Sequence, residues 1–266
     1  MTAGEVRCIM NYELFVIYPI LIISGACIGS FLNVVISRLP YKGEFLSNKR
    51  SRCPECGQTI KLYDLIPVIS WFMLGGRCRS CDARISFRYP FVELAGAFLF
   101  VFSYRHFGLE FATLLAFGIT AVLLAISFID YDTQEIPDSL IITIALFAIA
   151  AIWVFPEVSL LDRAIGIVTV SVPMLIVTLI INGAFGGGDI KLIAACGFLL
   201  GWQATLLAFF FALILGGSFA VFLILSGRRE RGEHMVFGPA ICAGVAVSLF
   251  YGNEIISWYL QMFMIY

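Results

Sequence analysis

The chain has 266 residues, of which 61% are hydrophobic and only 13% charged, with a mean hydropathy of +0.97. Soluble domains carry about a quarter charged residues, so this composition excludes a soluble globular class and predicts an integral membrane protein. The formal net charge of -1 supplies no whole-chain attraction for nucleic acid, and no nucleic-acid partner is expected.

In chain order, apolar runs suited to a bilayer, which needs roughly 17 to 25 helical residues, occupy 13–36, 90–106, 109–129, 140–155, 164–181, 203–225 and 236–250. The first run follows Glu5 and Arg7 rather than a basic leader, and no small-residue cleavage site comes after it. It reads as a retained span. A shorter run at 190–200 covers about half of the hydrocarbon core, so it counts as an eighth span only if other helices shield it. The segment 252–266, with Trp258 and Tyr259, either lies at the interface or extends the last span. The fold class expected is an all-α polytopic membrane protein with about eight transmembrane helices, seated in the lipid bilayer.

Basic residues set the orientation, because Lys and Arg in short loops stay on the cytoplasmic side. Of the 17 Lys and Arg, ten lie between Arg38 and Arg88. Eight spans with an outside N-terminus put 14 on the cytoplasmic side, and only Arg7, Arg105 and Arg163 outside. The expected division is a first span at 1–36, a cytoplasmic insert at 37–88 and a helical body at 89–266.

The insert carries Cys53-Pro-Glu-Cys56 and Cys78-Arg-Ser-Cys81. Paired Cys-x-x-Cys knuckles at this separation present four thiolates tetrahedrally to zinc. Four sulfurs leave no position for water, so the metal is expected to be structural, stabilising a polar insert too short to build a core. The apolar stretch 66–74 between the knuckles is expected to lie against the membrane or the helical body. Cys8, Cys27, Cys196 and Cys242 show no ligand spacing.

Acidic residues beside long apolar runs are costly and mark candidate functional sites. Asp130 ends the run 111–129, and Asp189 follows Gly186-Gly187-Gly188. Glycines there leave the carboxylate approachable by an extended substrate. Pro137 suits the start of the following helix. Two carboxylates can share one proton, one activating water while the other donates to a scissile carbonyl. Spacing alone equally permits a transporter in which Asp130 and Asp189 bind a proton or cation, and Asp132 rivals Asp130.

Four blocks carry a further signal: Gly29-Ser-Phe-Leu-Asn33-Val-Val-Ile-Ser-Arg38-Leu-Pro40; the knuckles followed by Tyr89-Pro-Phe-Val-Glu93; Asp130 with Ile136-Pro137-Asp138; and Gly186-Gly-Gly-Asp189-Ile-Lys191. In order and spacing the chain resembles the type IV prepilin peptidases over nearly its whole length. That resemblance implies an aspartic endopeptidase of the bacterial inner membrane, with Asp130 and Asp189 catalytic and facing the cytoplasm. It implies prepilin or pseudopilin substrates of type IV pili or type II secretion, whose short basic leaders are removed. It also implies N-methylation of the new terminus with S-adenosylmethionine. No cofactor loop is apparent, and Asn33, Arg38 and Glu93 are the polar residues to test first. Asp64 stands where the family often carries Asn.

Overall fold

A computed structural model describes residues 13–41, 50–181, 183–226 and 236–263. Among these are nine α-helices and no strand: α1 (Tyr18–Arg38), the short α2 (Ile69–Met73), α3 (Arg88–Phe107), α4 (Phe111–Thr133), α5 (Asp138–Val154), α6 (Leu160–Ile180), α7 (Gly187–Leu200), α8 (Trp202–Leu225) and α9 (Gly238–Met262). The eight long helices coincide with the eight apolar runs. Five of the described helical segments are long and apolar enough to cross a membrane alone: 13–38, α4, α6, α8 and α9, with α5 shorter but equally apolar. Large apolar side chains such as Phe31, Leu146, Leu179 and Phe222 face outward, which only hydrocarbon surroundings make favourable. The last helix continues to Met262, so residues 252–262 extend it.

The chain forms two compact units, Met1–Phe117 and Gly118–Tyr266. In the first, α1 packs on α3 through bare backbone. A Cβ on Gly25 would lie 2.7 Å from the Gly96 carbonyl oxygen, and one on Gly29 2.7 Å from the Glu93 Cα. Small residues that let backbones meet are how helices adhere in lipid, where apolar burial gives no driving force. The Phe100 and Phe117 rings stack at 4.2 Å in the same unit.

In the second unit, α7 touches α5, α6, α8 and α9. At 14 residues it is about 21 Å long, too short to span alone, and these neighbours supply the shielding that its inclusion as a span requires. Gly166 of α6 and Gly197 of α7 meet backbone to backbone, as do Gly244 of α9 and Ala208 of α8. Arg163, expected outside the spans as a loop charge, instead sits in the first turn of α6 with no solvent exposure. Its guanidinium donates to the carbonyls of Ala151, Phe155, Val158, Phe198 and Leu199 at 2.8 to 3.3 Å. These carbonyls lie at the C-terminal ends of α5 and α7 and in the loop between α5 and α6, where a helix leaves carbonyls with acceptor capacity to spare.

Candidate active site

Asp130 lies in the last turn of α4. That helix closes on Gln134, which takes a left-handed conformation (φ 55°) and donates its N–H to the Asp130 carbonyl at 2.9 Å. Successive helical residues are about 100° apart, so Asp130 and Asp132 point to opposite sides of α4. Asp130 is buried, 6% exposed, whereas Asp132 is exposed. The chain then turns through Ile136 and Pro137 into α5, with Pro137 at its N-cap. The Pro137 start follows from the local sequence, whereas the burial of Asp130 rather than Asp132 does not.

Asp189 is the third residue of α7 and is 8% exposed. Its Oδ2 reaches back to accept the Gly186 N–H at 3.3 Å, the carboxylate half of a capping box. The glycine run also lets two loops meet: a Cβ on Gly188 would stand 3.0 Å from the Ile136 Cβ. Lys191 pairs with Asp138 at 2.8 Å across the same junction. The two motif blocks, fifty residues apart in sequence, are therefore one piece of surface. Cys242, buried one turn along α9 from Gly238, belongs to the same end of the second unit. Asp189 Oδ1 is buried and makes no hydrogen bond, an unmet requirement of the kind that substrate or water fills.

One partner of this pair escaped sequence reasoning. Asp130 Oδ2 accepts the backbone N–H of Gly238 at 3.0 Å, where α9 begins. The Phe237-Gly238-Pro239 triplet after a polar loop signals a helix start, but nothing in the sequence says that its donor meets Asp130.

In the first unit the two cysteine knuckles adopt the same turn. Gly57 N–H bonds to the Cys53 carbonyl at 2.9 Å and Cys53 N–H to Gln58 at 3.0 Å; Asp82 to Cys78 and Cys78 to Ala83 repeat this at 3.0 and 2.8 Å. Isolated bridges, Arg52 with Thr59 and Arg77 with Arg84, close the two loops. Gly57 (φ 68°) and Asp82 (φ 59°) take the left-handed position in each. The sulfurs of Cys53, Cys56, Cys78 and Cys81 all lie within 4.8 Å of one another, with Cys53 and Cys81 3.8 Å apart. Zinc–sulfur bonds of about 2.3 Å give a tetrahedron with edges of about 3.8 Å, so the donor set fits zinc and forms a zinc-ribbon-like insert. The N–H groups of Cys56 and Glu55 pull the Cys53 thiol down to about 7. Arg79, between the second pair, forks onto Asp64 at 2.7 and 3.0 Å.

The apolar stretch 66–74 docks on α3: buried Glu93 accepts the Val68 N–H through Oε2 at 2.7 Å. Val68 itself has φ 63°, an unfavourable value for a β-branched residue. Asn33 donates to the Tyr89 carbonyl at 3.0 Å. Asn33 and Glu93 each hold a backbone group of the segment that leads into or packs on α3.

Residues 23–107 match the bacterial peptidase A24 N-terminal domain, and residues 117–221 match the type IV leader peptidase family. The chain is 34% identical to a prepilin leader peptidase/N-methyltransferase of Bacillus subtilis, over 91% of this chain and 98% of the relative. It is 34% identical to one of Aeromonas hydrophila, over 93% and 95%, and 30% identical to one of Legionella pneumophila, over 96% and 98%. No solved structure matches the chain. These likenesses run through both compact units, and the chain belongs to the type IV leader peptidase family of aspartic peptidases.

Proposed function

We propose that this protein removes the basic leader peptide from type IV prepilins or pseudopilins, using Asp130 and Asp189 as the reacting pair. The observation that carries this reading is the meeting of the two motif loops at one end of the second unit, each with a buried aspartate, and with Asp189 Oδ1 left without a partner. Two carboxylates in mutual repulsion hold one proton between them. The ionised member takes a proton from water as it attacks the scissile carbonyl, and the protonated member donates to the carbonyl oxygen. The opened backbone before α7 suits an extended peptide, which must leave its helix before it can be cut.

The active end faces the cytoplasm of the bacterial inner membrane, a reading supported by the excess of Lys and Arg in the loops on that side. A basic leader is held on that same side. Cys53, Cys56, Cys78 and Cys81 hold a structural zinc that ties the insert together. The second activity is transfer of a methyl group from S-adenosylmethionine to the new N-terminal amine, supported by the double activity in the names of the relatives. The test is cleavage of a prepilin in membranes carrying Asp130→Asn or Asp189→Asn: both should be inactive, and full turnover by either removes the two-aspartate reading. The methyl transfer is read from the mass of the processed pilin, which should gain one methyl group when the donor is added.

A further inference from the structure

Glycines in this protein occur for distinguishable reasons, and Gly238 belongs to neither of the two common classes. Gly57, Gly108 and Gly201 have positive φ, a conformation that disfavours side chains. Gly25, Gly166, Gly197 and Gly244 meet the backbone of a neighbouring helix, so they serve packing. Gly238 has no positive φ, and the atoms nearest its missing side chain belong to a carboxylate. A Cβ there would lie 2.5 Å from Asp130 Oδ2, 2.8 Å from Cγ and 3.2 Å from Cβ. Real Cβ atoms do not approach within 3.0 Å of another heavy atom, so any larger residue displaces either Asp130 or the start of α9.

The reason for the close approach is the hydrogen bond. Gly238 opens α9, where the first N–H groups have no partner inside the helix. Its N–H reaches Asp130 Oδ2 at 3.0 Å, in a contact that is buried. Pro239, next in the chain, has no N–H to offer, which leaves Gly238 as the donor at this point. Asp189 is held in the same fashion, its Oδ2 taking the Gly186 N–H at 3.3 Å, with a Cβ on Gly186 only 3.1 Å from that oxygen. Each aspartate is thus gripped through one oxygen by a glycine backbone. A carboxylate held by one oxygen is restrained while the other oxygen stays available, as Asp189 Oδ1 is.

We propose that Gly238 is a positioning residue for peptide cleavage: its N–H fixes the Asp130 carboxylate, and its bare Cα is what lets that N–H come within bonding distance. This rests on the reading of Asp130 and Asp189 as the reacting pair. It adds a third segment, the start of α9, to the two motif loops.

The experiment uses the full-length protein in membranes with a prepilin substrate. Gly238→Ala should lower kcat by about 100-fold, the order expected when a reacting group moves by about 1 Å, with KM changed less than about twofold. Gly217→Ala, where a Cβ meets nothing within 4 Å, should behave as wild type. A merely structural glycine would not show that split. Thermal melting supplies a readout independent of activity. Gly238→Ala should lower the melting temperature of the wild-type chain but not of the Asp130→Ala chain, in which the obstructing carboxylate is gone. If Gly238→Ala alone fails to fold, recovery of folding in the double variant supports the contact, and failure of the double variant overturns it. Wild-type kcat in Gly238→Ala, or an equal loss of stability in both backgrounds, also overturns it. Activity in Asp130→Asn would instead remove the aspartate reading, whatever the melting coupling shows.

Discussion

Helix α7 separates two buried polar clusters of opposite character. At its C-terminal end, Arg163 sends five hydrogen bonds to carbonyls at or near the ends of α5 and α7. At its N-terminal end, Asp130 and Asp189 are buried, each accepting from a glycine N–H, and Asp189 Oδ1 has no partner. Burying a charge costs several kcal/mol unless hydrogen bonds compensate it. The Arg163 end is compensated by five carbonyl acceptors drawn from three segments, so its charge ties the fold together. The aspartate end buries two carboxylates and leaves an acceptor open. A buried polar group held in full is read as architecture, and one held in part is read as chemistry.

The contrast can be broken most decisively by substitution at the aspartate end. Asp130→Asn and Asp189→Asn should each reduce prepilin cleavage by about 100- to 10,000-fold, the range typical of losing a positioned acid or base, while thermal stability in detergent stays near wild type. Unfolding in place of inactivity would make the aspartates structural. Arg163→Met should do the reverse. It should cost about 3 to 5 kcal/mol of stability, seen as a lower melting temperature, with kcat per folded molecule little changed. An unaltered melt would mean that the guanidinium only occupies space.

The cysteine cluster sharpens the comparison as a third polar centre, compensated by an ion rather than by backbone. Cys53→Ser or Cys78→Ser should bring bound zinc from about one per chain to near zero by atomic absorption, and unchanged zinc content would exclude the four-sulfur assignment. The smallest effect belongs to Lys191 and Asp138, whose side chains are 60% and 68% exposed. Lys191→Ala should change stability by less than about 1 kcal/mol, and a larger change would give this surface pair a role in holding the two motif loops together.

Much of this site was legible before any coordinates. Asp130 and Asp189 stood out because carboxylates beside apolar runs are expensive, and the knuckles because two Cys-x-x-Cys pairs at that spacing suit one ion. The inclusion of the short 190–200 run depended on shielding, which α5, α6, α8 and α9 supply. The role of Arg163 was not legible as it stands: a lone basic residue at the edge of an apolar run is counted as a loop charge, because sequence does not reveal carbonyls gathered from other helices. Nor were the attachments of Asn33 and Glu93, whose partners are backbone atoms of Tyr89 and Val68.

By itself, then, the sequence determined the class of solvent, the eight apolar helices, the insert with its four sulfurs and the two acidic motif positions. These depend on composition and on spacing along the chain, which are local properties. Tertiary structure alone decided that Asp130 rather than Asp132 turns inward beside Asp189, that Arg163 locks the far end of α7, and that Gly238 grips Asp130 from 108 residues away. Each of these depends on which backbone groups of one helix end meet a side chain from another, and only the packed helices fix that meeting.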